Sequence, residues 1–397
     1  MKFIFNQISR YIVFLLLKRA QNNYLQVTLV HSNKIFYFGH KNQNPVAKLS
    51  VYDESLFKDL LLNPGIGLAE GYMHFKWDTD NLFQVLDFFA NNPSIAINNY
   101  GIVFFNHILR LLKNISKKIK LFLQSDERKD IRKHYDLSND MFSLFLDSTM
   151  TYSCAIYNEN DSLYKAQKNK YDLIINKLDI TKNEKVLDIG FGWGGLCSEI
   201  SNQTGCDVDG VTLSEAQYEY AKTNNSGQNI LFEMKDFRKI NKTYDKISSI
   251  EMLEALDYTK IGQFFEKIEE ILNPGGKLFV QVITIPENRF NSYKNSEDFI
   301  QKYIFPGGMV HPLNRLLDLA EKKSTIKVIE INDISTNYVN TLNDWKVNFN
   351  KNINRINQLG FDDVFIRKWN YYFDYCAAGF KNNLIGNSQI LFSKPLK

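Results

Sequence analysis

A glycine-rich turn that follows an apolar strand constrains the fold of this chain more than any other feature. Residues 186–196 read VLDIGFGWGGL. Gly190 and Gly192 permit a tight turn and a close approach of the backbone to a ligand. Gly195 lies at the start of a predicted helix, whose N-terminal N–H groups are good hydrogen-bond donors. The segment therefore predicts a small-molecule site, although its formal match to the GxGxxG fingerprint is weak by itself.

Helix and strand patterns alternate from about residue 165 onward. Helices are predicted over 165–178, from Gly194, and over 214–224 and 260–271, and strands over 185–189, 207–211, 230–233, 246–250 and 277–283. This alternation predicts an α/β fold with a doubly wound, mostly parallel sheet and right-handed crossovers.

The first hundred residues have a different pattern. They mix short strands over 25–31, 34–39 and 47–51 with helices over 55–62 and 81–91, and a glycine-punctuated segment over 65–73 separates the two helices. A smaller N-terminal α+β domain is the fold that this mixture predicts.

A basic amphipathic segment joins the two regions. Residues 107–124 place apolar residues at helical spacing and carry a basic face made of Arg110, Lys113, Lys117, Lys118 and Lys120. Such a helix either binds an anionic membrane surface or packs as a solvated linker. We therefore predict an N-terminal lipid-associated accessory domain over 1–105, a linker helix over 106–130 and a catalytic domain over 131–397.

Composition and charge exclude several classes of protein. The formal net charge of +4 is too small to indicate a nucleic-acid partner. The four cysteines form no CxxC or Cys/His pattern, so no metal site is predicted and a reducing, cytoplasmic setting fits. The apolar run 11–17 is too short for a bilayer, which needs about 20 residues. It is expected to form a helix that packs into the fold or lies on a membrane surface.

Three further details of the sequence favour S-adenosylmethionine over a dinucleotide. Asp188 stands just before the first glycine. The next strand ends in GVTLS at 210–214, with no acidic residue at its tip to bind a ribose, because Asp209 precedes the strand end. NPGG at 273–276 precedes a late strand, as is common in class I methyltransferases.

Several blocks of sequence resemble the cyclopropane-fatty-acid synthase family and the related mycolic acid cyclopropane synthases. These blocks are HYDLSND at 134–140, LDSTMTYSCA at 146–155, GVTLS at 210–214 with Gln217, YIFPGG at 303–308, Thr341, Leu342 and Trp345, GFD at 360–362 and RKW at 367–369. They cover most of the chain in order, and residues 65–91 also resemble the N-terminal module of the family. The resemblance implies a Rossmann-like class I methyltransferase that adds a methylene unit from S-adenosylmethionine to the cis double bond of an unsaturated phospholipid acyl chain.

The resemblance also implies which residues bind the cofactor. They are Tyr135, Tyr152, Ser153, Asp188, Gly190, Gly192, Trp193, Gly194, Thr212, Leu213, Gln217, Asp236 and Phe237. Plain core packing is the alternative for the two tyrosines.

The chemistry of the family explains a second group of residues. An alkene is a weak nucleophile, so the methyl donor must be a sulfonium, and water must be kept from the resulting carbocation. A base then removes a proton from the new methyl group. In the family that base is bicarbonate, held by a Cys, a Glu, a His, a backbone group and a Tyr. The matching positions here are Cys154, Glu254, Gln281, the backbone of Ile283, and Tyr338, with Glu251 as the nearest alternative to Glu254.

Several positions depart from the usual bacterial pattern. Phe191 replaces a cysteine in the glycine turn, Asn337 replaces a histidine before Tyr338, and two further departures concern the ring-closing step. Ala255 replaces a histidine after the glutamate, and Gln281 replaces the histidine of the bicarbonate site. Glutamine can donate a hydrogen bond to an anion but cannot relay a proton. The chain resembles more closely a branch that carries Glu-Ala and Gln at these positions.

These departures leave three outcomes open. They are cyclopropanation, C-methylation or methylenation on the same scaffold, and an inactive relative that binds membranes. The resemblance further implies membrane phospholipid acyl chains as substrate, peripheral association with the anionic inner face of the membrane, and a homodimer.

Overall fold

The computed structural model describes residues 2–40, 46–95, 138–225 and 229–396. The chain divides into two compact units, Met1–Ser138 with Phe361–Tyr375 and Asn139–Gly360 with Cys376–Lys397. The predicted boundary at residue 105 and the predicted linker helix over 106–130 lie outside the described residues. Nothing in the sequence indicates that residues 361–375 group with the N-terminal unit.

The first unit contains a four-stranded sheet with helices, as expected of an α+β domain. Its strands are β1 (Tyr24–Leu29), β2 (Lys34–Gly39), β3 (Val46–Val51) and β4 (Trp77–Asp78), in the order β2-β1-β3-β4. Its N-terminal helices are α1 (Lys2–Leu17), α2 (Ser55–Leu62), α3 (Pro64–Met73) and α4 (Leu82–Ala90). The apolar run at 11–17 ends α1, where Val13, Leu16 and Leu17 are buried in the unit.

Residues 65–73, predicted as a glycine-punctuated segment between two helices, form helix α3 instead. Two of its glycines allow α3 to pack closely against α2. A Cβ on Gly67 would lie 2.5 Å from the backbone oxygen of Asp59, and a Cβ on Gly71 would lie 2.6 Å from the Leu56 side chain. Both partners belong to α2, so only glycine lets α2 and α3 approach this closely.

The second unit contains a seven-stranded sheet that confirms the predicted α/β fold class. Its strands are β5 (Lys185–Ile189), β6 (Asp207–Thr212), β7 (Ile230–Met234), β8 (Tyr244–Ile250), β9 (Leu272–Thr284), β10 (Lys327–Asp333) and β11 (Gly386–Ser393), in the order β10-β11-β9-β8-β5-β6-β7. Strands β5 to β9 pair in parallel, and β11 runs antiparallel between β9 and β10.

The remaining helices follow in chain order. They are α5 (Asn139–Ser143), α6 (Leu163–Leu178), α7 (Gly195–Thr204), α8 (Glu215–Asn224), α9 (Tyr258–Ile271), α10 (Glu287–Tyr293), α11 (Phe299–Tyr303), α12 (Leu313–Lys323), α13 (Ser335–Lys351), α14 (Ile353–Gln358) and α15 (Asp363–Lys381). Among the described residues, no helix is both long enough and apolar enough to cross a membrane.

Two hydrophobic clusters cover the two faces of the large sheet. Leu187 and Leu278 belong to one cluster, and Val186 and Phe279 belong to the other. Consecutive residues of a strand point to opposite faces, so β5 and β9 are buried on both sides. The strand order reverses between β5 and β8. In doubly wound folds, ligands bind beyond the carboxyl ends of the strands at this point of reversal.

Candidate active site

The glycine turn leaves the carboxyl end of β5 at the point where the strand order reverses. Gly190 and Gly192 have φ angles of +82° and +58°, a left-handed conformation that favours glycine. The Gly190 N–H donates to the Val211 carbonyl at 2.9 Å, which ties the turn to β6. A Cβ on Gly192 would meet no atom within 4 Å. The turn therefore presents bare backbone to open space, as a ligand contact requires.

The end of β6 supplies a second face of this site. The Thr212 hydroxyl donates to the Gln217 side-chain oxygen at 3.0 Å, which links the strand to the first turn of α8. Leu213, the next residue after the strand, is 73% exposed. A leucine left in water at the carboxyl edge of the sheet offers an apolar contact to a bound molecule.

Several side chains predicted to bind the cofactor are instead engaged within the protein. Asp188 is buried, where the Ser248 hydroxyl donates to its Oδ1 at 2.7 Å and the Cys197 thiol to its Oδ2 at 3.6 Å. Burial raises the pKa of Asp188 to about 6. These contacts favour a role in holding β5 in place over a direct contact.

Three further predicted residues also have internal partners. The Trp193 indole donates to the Asn139 side chain at 2.8 Å. Asp236 is bound by the Arg238 guanidinium, with Nε 3.0 Å from Oδ1, and Phe237 is buried in the core. Gly194 caps the start of α7, and Tyr135 lies outside the described residues. The cofactor role of each of these residues stays a prediction.

Aromatic side chains surround Tyr152. Its ring centroid lies 5.0 Å from that of Trp345, 5.2 Å from that of Phe142, 6.0 Å from that of Phe145 and 6.1 Å from that of Phe305. These five rings, here called the aromatic wall, form an apolar surface that excludes water, and their faces attract positive charge.

Glu251 is the centre of a buried polar cluster. It directly follows β8 with a φ of +52°, which is uncommon for a residue with a side chain. Its Oε1 accepts hydrogen bonds from the Cys154 backbone N–H at 3.1 Å, from Gln281 Nε2 at 2.8 Å and from Asn387 Nδ2 at 2.6 Å. Its Oε2 accepts from the Tyr338 hydroxyl at 2.8 Å. Four donors from four separate segments therefore converge on one carboxylate.

Glu254 lies in the 3₁₀ turn Leu253–Ala255, beside this cluster. Its Oε1 accepts the Ile283 N–H at 2.5 Å, and its Oε2 is buried with no partner among the described residues. Burial, and then the charge of Glu251, raise the pKa of Glu254 well above its usual range. Glu254 is therefore the acid of the pair that holds a proton.

The other polar members of the cluster are fixed by their own contacts. Gln281 is fully buried, and its side-chain oxygen accepts from Gln389 Nε2 at 2.9 Å. The Cys154 thiol donates to the Ala155 carbonyl at 3.4 Å, and burial raises the pKa of this thiol well above its usual range. Cys154 is therefore a neutral thiol, not a thiolate nucleophile.

A buried lysine accompanies these acids. Lys170 in α6 is fully buried, and its Nζ donates to the Ser153 hydroxyl at 2.6 Å. Burial lowers the pKa of Lys170 to about 8, although nearby carboxylates, Glu251 first among them, act in the opposite direction. The lysine supplies positive charge close to the Glu251 carboxylate.

The structure thus brings together all five residues predicted to be catalytic, and it adds four that were not predicted as site residues. The additions are Glu251, Asn387, Gln389 and Lys170. The sequence offered a signal only for Glu251, which stands three residues before Glu254. The other three lie on an unpredicted strand and on the buried face of a helix, where nothing in the sequence marks them.

The arrangement does not fit a bound bicarbonate. The Cys154 N–H, the Gln281 amide and the Tyr338 hydroxyl, which would hold that ion, all donate to Glu251. The Ile283 N–H donates to Glu254. A further anion would find these donors engaged and would lie beside a buried carboxylate, which is electrostatically costly.

Known proteins match both the sequence and the fold. The family described as mycolic acid cyclopropane synthetase matches residues 123–390. A tuberculostearic acid methyltransferase of Mycobacterium tuberculosis is 31% identical over 336 residues, which are 81% of this chain and 77% of that protein. A cyclopropane-fatty-acyl-phospholipid synthase of Escherichia coli is 30% identical over 360 residues, which are 90% of each chain.

A solved structure gives the same result at the level of the fold. The crystal structure of a mycolic acid cyclopropane synthase complexed with SAH and CTAB superposes with a TM-score of 0.61 at 26% identity. The match covers 68% of this chain and 99% of that one.

Proposed function

Because this chain belongs to the mycolic acid cyclopropane synthetase family, we propose that it adds a methylene unit from S-adenosylmethionine to the cis double bond of an unsaturated phospholipid acyl chain. The resemblance found in the sequence is confirmed, and the chain is an S-adenosylmethionine-dependent methyltransferase of the cyclopropane synthase type. The observation that carries the proposal is the convergence of Cys154, Glu254, Gln281, Ile283 and Tyr338 around one buried cluster.

The glycine turn and the end of β6 are suited to hold the cofactor, which supplies an electrophilic methyl group on a sulfonium. Gly190 and Gly192 keep side chains out of the turn, and the N-terminus of α7 begins directly after it. Leu213 offers an exposed apolar contact for a flat base. These features support a nucleoside bound at the carboxyl edge of β5 and β6.

The aromatic wall is suited to an acyl chain that becomes positively charged. The ring centroids of Phe142, Phe145 and Trp345 lie 5.2, 6.0 and 5.0 Å from that of Tyr152. The rings exclude the water that would capture a carbocation, and their faces attract its charge.

Mass spectrometry of fatty acids from a host that lacks its own synthase tests the proposal. Expression of the chain should raise the mass of monounsaturated acyl chains by one CH₂ group, and the new chains should resist mild hydrogenation. An unchanged fatty-acid profile, with intact cofactor binding by the purified protein, would contradict the proposed reaction and favour an inactive relative.

A second outcome is favoured by one observation, the amide at Gln281. The residue is fully buried between Glu251 and Gln389, so this position holds no group that takes up a proton. The M. tuberculosis relative is a tuberculostearic acid methyltransferase. If a hydride first moves from the methyl-bearing carbon to the neighbouring cationic carbon, loss of a proton from the methyl group then gives a methylene branch instead of a ring, and mild hydrogenation converts that branch to a methyl branch.

We further propose that the enzyme is cytoplasmic and binds peripherally to the anionic inner face of the membrane. We also propose that it is a homodimer. The basic segment with Lys113, Lys117, Lys118 and Lys120, which lies outside the described residues, supports the membrane association. The dimer is proposed from the resemblance to the family alone. Replacing these four lysines by glutamine should weaken binding to anionic vesicles, most clearly at low salt.

A matched control removes the same charge elsewhere. Lys182, Lys222, Lys239 and Lys294 are exposed lysines of the second unit. Their replacement by glutamine should leave vesicle binding unchanged. Equal loss in both variants would mean that net charge, and not the basic segment, drives the association. Equilibrium sedimentation of the native chain tests the dimer, and a monomer mass would contradict it.

A further inference from the structure

The contacts of Glu251 differ from those expected of a structural carboxylate. Structural acids usually pair with a cation or cap a helix, whereas Glu251 accepts only neutral donors. These are one backbone amide, two side-chain amides and one hydroxyl, at 2.6–3.1 Å. Four such donors stabilise the ionised carboxylate within the protein.

We propose that Glu251 is the general base of this enzyme and that its side-chain carboxylate takes the place of a bound bicarbonate. The inference rests on the proposed function, because it names the group that completes the proposed reaction. A carboxylate presents two oxygens on one carbon, as bicarbonate does, so the same donors can hold either group.

The donors themselves support this replacement. The Cys154 N–H, the Gln281 amide and the Tyr338 hydroxyl come from the loop before α6, from β9 and from α13. Asn387 at the start of β11 adds a fourth donor at 2.6 Å. Because β11 is antiparallel to β9, its first residues lie at the carboxyl edge where the cluster forms. The fold therefore assembles an anion site, and the chain fills that site with its own side chain.

The backbone at Glu251 explains how the side chain enters the site. The left-handed φ of +52° turns the chain sharply after β8, while the Glu251 N–H donates to the Gln281 carbonyl at 2.7 Å. A residue other than glycine is uncommon in this conformation. Strain of this kind often marks a functional site.

Neighbouring groups are poor candidates for the base. Gln281 has no group that takes up a proton. Cys154 is a neutral thiol that donates to a carbonyl. Burial raises the pKa of Glu254, so it carries a proton at neutral pH. The Tyr338 hydroxyl donates its proton to Glu251. Of these five groups, Glu251 is the one whose carboxylate accepts hydrogen bonds from four donors.

The proposed step balances atoms and charge. The π electrons of the alkene form a bond to the methyl carbon, while the carbon–sulfur bond breaks and its electrons stay on sulfur. Glu251 then takes a proton from the new methyl group, and the electrons of that C–H bond close the ring. Glu251 becomes a neutral acid and releases its proton to solvent before the next turnover. A carbocation loses such a proton readily, so a weak base is sufficient.

Two substitutions test the proposal. Glu251→Gly suits the left-handed backbone and opens the anion site, whereas Glu251→Gln fills the site with a group that is not a base. Turnover of vesicles of unsaturated phospholipid is measured in buffer stripped of carbon dioxide, with and without added bicarbonate. Binding of ¹³C-labelled bicarbonate is followed by NMR, and binding of S-adenosylhomocysteine and thermal unfolding report on the fold.

The native enzyme should turn over equally with and without bicarbonate and should not bind the labelled ion. E251Q should lose about 100-fold or more of its turnover, the range expected for a general base, and bicarbonate should not restore it. E251G should lose a similar factor, bind bicarbonate and recover turnover when the ion is added.

Several results would overturn the proposal. They are native turnover that falls when bicarbonate is removed, E251Q with near-native turnover, or folded E251G that does not bind bicarbonate. Failure of the proposed function would look different, because the native enzyme would then leave acyl chains unchanged under every condition. The native measurements and E251Q decide the question even if E251G does not fold.

Discussion

Substitution of Gly192 separates backbone strain from loss of the cofactor site. Gly192 has a φ of +58°, and a Cβ there would meet no atom within 4 Å. Gly192→Val should therefore cost only the strain of a left-handed residue, about 1–3 kcal/mol of unfolding free energy. The added methyl groups would enter the space left for the cofactor. If this overlap costs about 1–3 kcal/mol, the cofactor should bind about 5- to 150-fold more weakly.

Gly205 provides the matched control. It has a φ of +69° at the end of α7, and a Cβ there would lie 3.8 Å from the flexible Lys182 side chain. Gly205→Val should show similar strain, since both sites have room for the side chain. It should leave affinity for S-adenosylhomocysteine unchanged in titration calorimetry, because it lies at the opposite edge of the sheet. Native affinity in G192V, or equal loss in both variants, would refute the assignment of the turn to the cofactor.

Three further predictions concern single side chains. Burial raises the pKa of Asp188 in the folded protein to about 6, so the folded state favours the protonated carboxyl. Asp188 therefore stabilises the fold at low pH, and this stabilisation is lost as the pH rises through about 6. Asp188→Asn should therefore flatten the pH dependence of urea unfolding, with a gain of at most about 3 kcal/mol at neutral pH, and an unchanged pH profile would contradict this. Leu213→Ala should weaken cofactor binding by about tenfold with no loss of stability, because the side chain is 73% exposed; calorimetry showing native affinity would rule out the contact. Cys154→Ser and Glu254→Gln should each lower turnover while leaving cofactor affinity nearly native, and loss of that affinity would show that the cluster belongs to the cofactor site.

The elements of the proposed cofactor site could be predicted from the sequence. The strand predicted over 185–189 is β5. Gly190 and Gly192, which follow it, have the positive φ angles that glycine adopts readily. Local patterns suffice here, because an apolar strand followed by a glycine turn has few alternatives. The helix over 65–73 was missed, since the reason for its glycines is the approach of α2, which is far from local.

The central acid of the cluster could not be chosen from the sequence. Glu251 and Glu254 are three residues apart, and spacing alone does not tell which one meets the donors. The choice depends on the backbone angle at Glu251 and on Asn387, which reaches the site through the antiparallel β11. That strand was not predicted, because it follows the regular alternation and pairs with a strand about one hundred residues earlier.

Transfer of a deuterated methyl group tests the central claim most directly. The purified enzyme would be incubated with S-adenosylmethionine that carries a CD₃ methyl group and with vesicles of monounsaturated phospholipid. The masses of the product acyl chains would then be measured by mass spectrometry. The account predicts a gain of one CD₂ group, because a base removes one deuteron from the new methyl group. Products that retain the whole CD₃ group would show that the proton leaves the acyl chain instead. That result would contradict the account.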